Sequence, residues 1–172
     1  MSIGQERVIV QPGEGDLISV FGYKVLRKIR GEQTSGAVSI VELLYPPGNF
    51  TPPHRHLKTV EIGYILEGEL GVMVAEEDFQ VGPGSFFVRP AGVPHAIWNN
   101  TGRPARLLDT YTPAGMEAWF EALARLVSGP QPPTMDQLFE AGRRHDSVFM
   151  PELAPPLIKK YGLRLEIPGG RS

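Results

Sequence analysis

Short apolar runs, many alternating with polar residues at a period of two, fill the first two thirds of the chain. The stretches 7–10, 17–20, 23–29, 38–45, 59–66, 70–75, 79–81, 85–88, 95–98 and 105–111 are rich in β-branched and aromatic residues, which predicts strands. Turn formers separate them; Glu67-Gly68-Glu69 reads as a hairpin turn with Gly68 in the left-handed region that a residue without Cβ enters freely. Strands this short and this closely spaced predict an all-β sandwich or barrel rather than βαβ units. No helical period of any length occurs before residue 112.

Beyond that point the period changes. Thr112-Pro113 reads as an N-cap followed by proline at the first helical position. Met116, Trp119, Phe120, Leu123 and Leu126-Val127 then recur at helical spacing until Ser128-Gly129-Pro130 ends the run. Thr134 with Gln137 three residues on is a capping-box pattern, predicting a second helix that ends near residues 142–145. The proline-rich remainder reads as an extended tail, with Leu157, Ile158 and Leu163 touching the body. The layout is a β-barrel over 1–112 and a helical extension with tail over 113–172, packed on the barrel as part of the same domain.

Composition narrows the class. Gly 20 and Pro 17 in 172 residues suit a turn-rich β-protein, and 41% hydrophobic residues supply a core of ordinary size. Seventeen Lys and Arg against nineteen Asp and Glu leave a net charge of −2 with no basic cluster, which argues against nucleic acid or an anionic membrane as partner. With no cysteine, disulfides, thiol nucleophiles and thiolate ligands are excluded, so any metal must be held by nitrogen and oxygen. No stretch reaches eighteen consecutive apolar residues, and the first ten residues do not read as a secretion signal. A cytoplasmic location is expected.

The candidate chemistry lies between Gly48 and Asn99. His54-Arg55-His56 places two imidazoles at i, i+2, on one face of an extended strand. An isolated pair of this kind is more often an exposed strand pair; here Glu61 and His95 accompany it. Pro46-Pro47-Gly48 turns the chain before the pair, and Pro90-Ala91-Gly92-Val93-Pro94 is a rigid loop delivering His95. Three histidines and one carboxylate in this arrangement point to a metal. His145, at the expected C-terminus of the second helix, suits the helix dipole instead. Asn99 and Gly48, Gly68, Gly84, Gly92 and Pro90 read as structural.

The spacings are Gly48, five residues, His54, one, His56, four, Glu61, six, Gly68; then Gly84, five, Pro90, one, Gly92, two, His95, three, Asn99. They match both motifs of the cupin superfamily at every signature position, and on them the chain resembles a single-domain cupin. The resemblance implies a double-stranded β-helix barrel, the jelly roll of that family, whose interior holds one divalent metal through His54, His56, Glu61 and His95.

Three neutral imidazoles and one carboxylate leave two positions of an octahedral ion open for water, substrate or dioxygen. Fe, Mn, Ni, Co, Cu and Zn all fit nitrogen and oxygen donors. Glu61 is also the candidate general base toward an acidic hydroxyl. From Glu61 the inward face carries Gly63, read as leaving space beside the metal, and Ile65; from His95 it carries Ile97. With Leu43, Met73, Phe86, Phe87 and Val88 these suggest an apolar pocket for a small or flat organic molecule. A barrel followed by two helices and a proline-rich tail, joined through Tyr111-Thr112-Pro113-Ala114-Gly115, resembles the small bacterial quercetin 2,3-dioxygenase-like cupins. That likeness implies a metal-dependent dioxygenase acting on an aromatic or enolic substrate such as a flavonol. The alternatives are a metal-containing binding or sensing module without turnover, and a non-redox isomerase or decarboxylase. The cupin resemblance also implies a homodimer, since barrels of that family often pair through outer strand faces, here the one with Ile62, Tyr64, Leu66 and Trp98.

Overall fold

A computed structural model describes residues 9–165. Two antiparallel sheets face each other. The six-stranded sheet holds β1 (Asp16–Val20), β2 (Tyr23–Ile29), β3 (Ser39–Tyr45), β10 (Ala105–Thr112), β5 (Val60–Glu67) and β8 (Phe86–Arg89), in that spatial order. The five-stranded sheet holds β11 (Ser147–Phe149), β4 (Phe50–His56), β9 (His95–Trp98), β6 (Leu70–Val74) and β7 (Glu77–Val81). Strict alternation places one set of side chains between the sheets: Val25, Val41, Leu43, Ile65, Val72, Ile97 and Leu107 are all buried there. This is the all-β jelly roll expected, with helices gathered in the C-terminal part. Gly68 makes the β5–β6 turn at φ 72°. Asn99 is structural, its Nδ2 donating to the carbonyls of Tyr45 at 3.0 Å and Arg103 at 2.8 Å.

Four local expectations are corrected. β4 reaches back through Pro52-Pro53 to Phe50, beyond the extended segment expected at His54–His56, although proline cannot donate to a ladder. The structure accommodates both prolines where the β4–β9 register shifts: Thr51 pairs with Ile97 and His54 with His95, so β4 carries one extra residue, a bulge. The first helix, α1 (Met116–Val127), is capped by Gly115 rather than Thr112, since Thr112 still pairs with Val60 at the end of β10. The extended tail expected from Pro151 onward is instead a 3-10 turn at Pro151–Leu153 and a helix, α3 (Ala154–Tyr161), preceded by the short strand β11. The candidate strand at 7–10 falls partly outside the described residues, and 9–10 are not in a strand. The second helix, α2 (Met135–Arg144), begins at the Thr134–Gln137 capping box.

The extension packs on the barrel in two places. Met116, Trp119, Phe120 and Leu123 of α1 and Leu138 of α2 join the barrel core, and α1 is tied to β2 by an Arg27–Glu121 ion pair. α3 covers the outer face of the five-stranded sheet, where Ala154 and Leu157 pack with Phe50, Met73, Ala96 and Trp98. Trp98, expected on a dimer face, is therefore buried beneath α3 with its ring 4.7 Å from that of Tyr161. Met73, expected in the pocket, lies under the same helix. Phe86 and Val88, also expected in the pocket, are exposed on the outer face of β8. No described helix is long and apolar enough to cross a membrane.

Candidate metal centre

His54 and His56 stand on β4 and His95 opens the neighbouring strand β9, all facing the space between the sheets. One ring nitrogen from each can be chosen so that all three lie within 4.8 Å of one another. The ring centroids are 4.4 Å apart for His54–His95, 5.1 Å for His54–His56 and 5.3 Å for His56–His95. Each Nδ1 faces a backbone carbonyl: that of His54 the Pro52 oxygen at 2.9 Å, that of His95 the Val93 oxygen at 3.1 Å, that of His56 the Asp146 oxygen at 3.0 Å. Donation through Nδ1 leaves each Nε2 with its lone pair directed elsewhere. The Nε2 atoms of His56 and His95 are buried and lack a hydrogen-bond partner of good geometry. Buried polar atoms are rarely left so, and convergent imidazole nitrogens of this kind fit a divalent ion.

Glu61 approaches from β5 in the opposite sheet. Its Oε1 lies 3.0 Å from His56 Nε2 and its Oε2 3.2 Å from His95 Nε2. Arg89 Nη1 stands 2.6 Å from the same Oε2, and the other arm of that guanidinium pairs with Asp109. Register explains the cluster: Arg89 on β8 and Tyr111 on β10 are the two residues directly opposite Glu61. The Tyr111 hydroxyl donates to Asp109 Oδ2 at 3.1 Å. All four side chains are buried. Arg89, Asp109 and Tyr111 were not among the expected site residues; their signal was a charge or hydroxyl at an inward position, visible only once the strand faces are known.

One guanidinium thus serves two carboxylates. Burial alone would raise Glu61, but Arg89 and then His56 outweigh it and hold the carboxyl well below the usual range. Burial pushes Asp109 up to about 7 against the pull of Arg89, and the charge on Glu61 adds to the rise. Burial, followed by the neighbouring imidazoles, drives His54 well below its ordinary value. Burial likewise lowers His95, while for His56 the attraction of Glu61 overcomes burial and raises it. An ionised Glu61 beside two imidazoles that resist protonation, His54 and His95, is a donor set suited to a cation.

The space beside the centre is not the one expected. Gly63 leaves no gap, because the Phe87 ring lies where a Cβ would stand. Instead a cavity of about 320 Å³ opens at the end of the barrel next to His54. Barrel residues Tyr23, Phe50, Thr51 and Pro53 form one side, and Trp119, Leu138, Phe139 and Phe149 from the C-terminal segment form the other. The Phe149 ring stands 5.9 Å from His54 and 5.5 Å from Phe139. Among the described residues, no Lys, Arg, Asp or Glu lines the chamber.

Residues 41–111 match the family model described as the cupin domain. Germin-like protein subfamily 2 member 2 of Arabidopsis thaliana is 37% identical over 91 residues, covering 50% of this chain and 41% of that protein. The chain thus matches less than half the length of that relative. Among solved structures, a predicted oxalate decarboxylase from Thermotoga maritima is 21% identical with a TM-score of 0.56, covering 61% of this chain and 98% of the other. An RmlC-like cupin from Shewanella frigidimarina is 19% identical with a TM-score of 0.57, covering 66% and 96%. At these identities the structural likeness concerns the fold.

Proposed function

From the premise that the chain belongs to the cupin superfamily and carries a cupin domain at 41–111, we propose a metal-dependent dioxygenase acting on a small aromatic or enolic substrate, such as a flavonol. His54, His56 and His95 hold one divalent transition ion, with Glu61 as the fourth ligand. The observation that carries this reading is that His54 belongs both to the imidazole cluster and to the wall of the apolar chamber. A molecule seated among Trp119, Phe139 and Phe149 would lie beside the ion's site on the His54 side.

The lining favours flat, weakly polar molecules. Among the described residues a compact dianion would meet no counter-charge there, because Arg89 is enclosed behind Glu61 and Asp109. A bound ion would supply Lewis-acid chemistry and, if redox-active, electron exchange with dioxygen. Glu61 contributes the balancing negative charge. It is also the proposed acceptor for the proton of an enolic or phenolic hydroxyl; its pairing with Arg89 weakens it as a base and so restricts the role to acidic hydroxyls.

The test is metal analysis of purified protein, followed by oxygen uptake with 3-hydroxyflavone after loading with Fe, Mn, Co, Ni, Cu or Zn. About one ion per chain, lost in His95→Ala, and uptake with at least one metal are expected. Wild-type protein that takes up none of these ions would overturn the metal reading. One that binds an ion and 3-hydroxyflavone without oxygen uptake would instead be a binding module.

A further inference from the structure

We propose that Asp146, in the C-terminal segment, is a positioning residue for the metal centre, holding the ligand His56 and the turn that leads from it to Glu61. This rests on the metal reading above for its functional meaning, though the clamp itself is a matter of geometry.

Two of the three imidazoles are oriented by their own strands or loops: His54 by the carbonyl of Pro52, His95 by that of Val93, each two residues earlier. His56 differs. Its Nδ1 faces the carbonyl of Asp146 at 3.0 Å and the hydroxyl of Ser147 at 3.2 Å, both some ninety residues away in sequence. Ser147 is fully buried and pairs directly with His56 in the β11–β4 register. The orientation of this ligand therefore comes from a segment outside the matched cupin domain.

The Asp146 side chain completes the arrangement. Its carboxylate accepts from three successive amides immediately after His56: Leu57 at 3.1 Å, Lys58 at 3.1 Å and Thr59 at 2.9 Å, and from the Thr59 hydroxyl at 2.9 Å. These amides form the β4–β5 turn, so one residue fixes both the ring of His56 and the path to Glu61. The backbone of Asp146 lies in the left-handed region at φ 61°, a conformation that aspartate tolerates better than most side chains and glycine adopts freely. Charge-assisted bonds from backbone amides to a carboxylate are among the stronger hydrogen bonds in proteins. Partners that orient a metal-binding histidine typically change affinity 10–100-fold when removed.

Asp146→Gly isolates the carboxylate, because the carbonyl to His56 stays and the backbone conformation remains accessible. Asp146→Asn keeps one acceptor oxygen and should restore part of the effect. Two readouts are needed. The first is Co²⁺ affinity by chelator competition, well below the melting temperature. The second is imidazole nitrogen NMR of the metal-free protein, which reports the tautomer and exchange of His56 without any ion. Asp146→Gly should weaken Co²⁺ about 10–100-fold and broaden or shift the His56 ring signals, leaving His54 and His95 unchanged; Asp146→Asn should lie between it and the wild type.

Unchanged Co²⁺ affinity with unchanged His56 signals would overturn the proposal. So would a lower melting temperature with both readouts intact, which marks a purely structural role. If Asp146→Gly does not fold, the same two readouts on Asp146→Asn decide. If the wild type binds no Co²⁺, the metal reading is in question, and the His56 spectrum still decides whether Asp146 holds the ring.

Discussion

Arg89 lies directly opposite Glu61 across β8 and β5, with its Nη1 2.6 Å from Glu61 Oε2. Because the same guanidinium also pairs with Asp109, its removal strands two buried carboxylates at once. Arg89→Met should destabilise the metal-free protein by about 3–5 kcal/mol, the usual result of deleting one member of a buried ion pair. A divalent ion bound at the imidazoles would return positive charge to Glu61. Added Zn²⁺ should therefore raise the melting temperature of Arg89→Met more than that of the wild type. Thermal melts with Zn²⁺ and with chelator check this, and equal shifts in the two proteins would refute it.

The three histidines should differ in what they cost when removed. His54→Ala, His56→Ala and His95→Ala should each lose most of the metal while retaining the β-fold, whose core between the sheets is apolar. His56→Ala additionally removes the shorter of two hydrogen bonds of the buried Ser147 hydroxyl, leaving only the 3.4 Å bond to the His145 carbonyl. It should destabilise the metal-free protein by about 1 kcal/mol more than His54→Ala, whose side chain is only half-buried. Denaturant titrations of the metal-free variants measure the difference; no gap between them would show that Ser147 does not depend on His56.

A pH effect should appear far from the centre. On β3, Glu42 accepts from Arg106 Nε at 2.9 Å and pairs with Lys28 at 3.1 Å, its side chain only 8% exposed. Burial raises this carboxyl, but the bonds from Arg106 and Lys28 outweigh it and hold it below its ordinary value. A carboxyl depressed in the folded state stabilises the fold above its unfolded pKa, near 4.5, and that stabilisation is lost as pH falls through the folded value. Glu42→Gln should cost about 1 kcal/mol at neutral pH and progressively less as the pH is lowered below 4.5. Urea titrations across that range test the sign; an equal cost at both ends would contradict it.

The histidine cluster and the barrel were legible because both follow from short-range spacing. An i, i+2 pair shares a face, and alternating strands between glycines and prolines read as a β-sandwich. The departures occur where a second strand or the far end of the chain decides the outcome. Counting alternately from Thr51 puts His54 on the wrong face, and only the bulge at Pro52-Pro53 sets it opposite His95. Arg89 and Asp109 are ordinary charges in sequence and become part of the centre through strand register. Prolines 151, 155 and 156 suggested an extended tail. Yet Pro151 opens a 3-10 turn and Pro155 and Pro156 fall in the first turn of α3, where a missing amide hydrogen has little cost. The chamber escaped notice for the same reason, its outer wall coming from the segment read as appendage.

That wall gives the clearest handle on specificity. Met135, at the start of α2, lines the chamber and belongs to neither the imidazole cluster nor the hydrogen-bonded network of Glu61. Met135→Trp should narrow the cavity, about 320 Å³ in volume, and leave the ligands in place, since the added ring is carried by α2 rather than by β4 or β9. The expected result is at least a tenfold loss of affinity for 3-hydroxyflavone, about 1.4 kcal/mol, with metal content unchanged. A substrate that reached the centre by another route would be indifferent to this substitution. Fluorescence titration of the metal-loaded variant against the wild type separates the two cases: equal affinity would move the binding chamber elsewhere, and loss of metal would show that α2 supports the centre as well as the pocket.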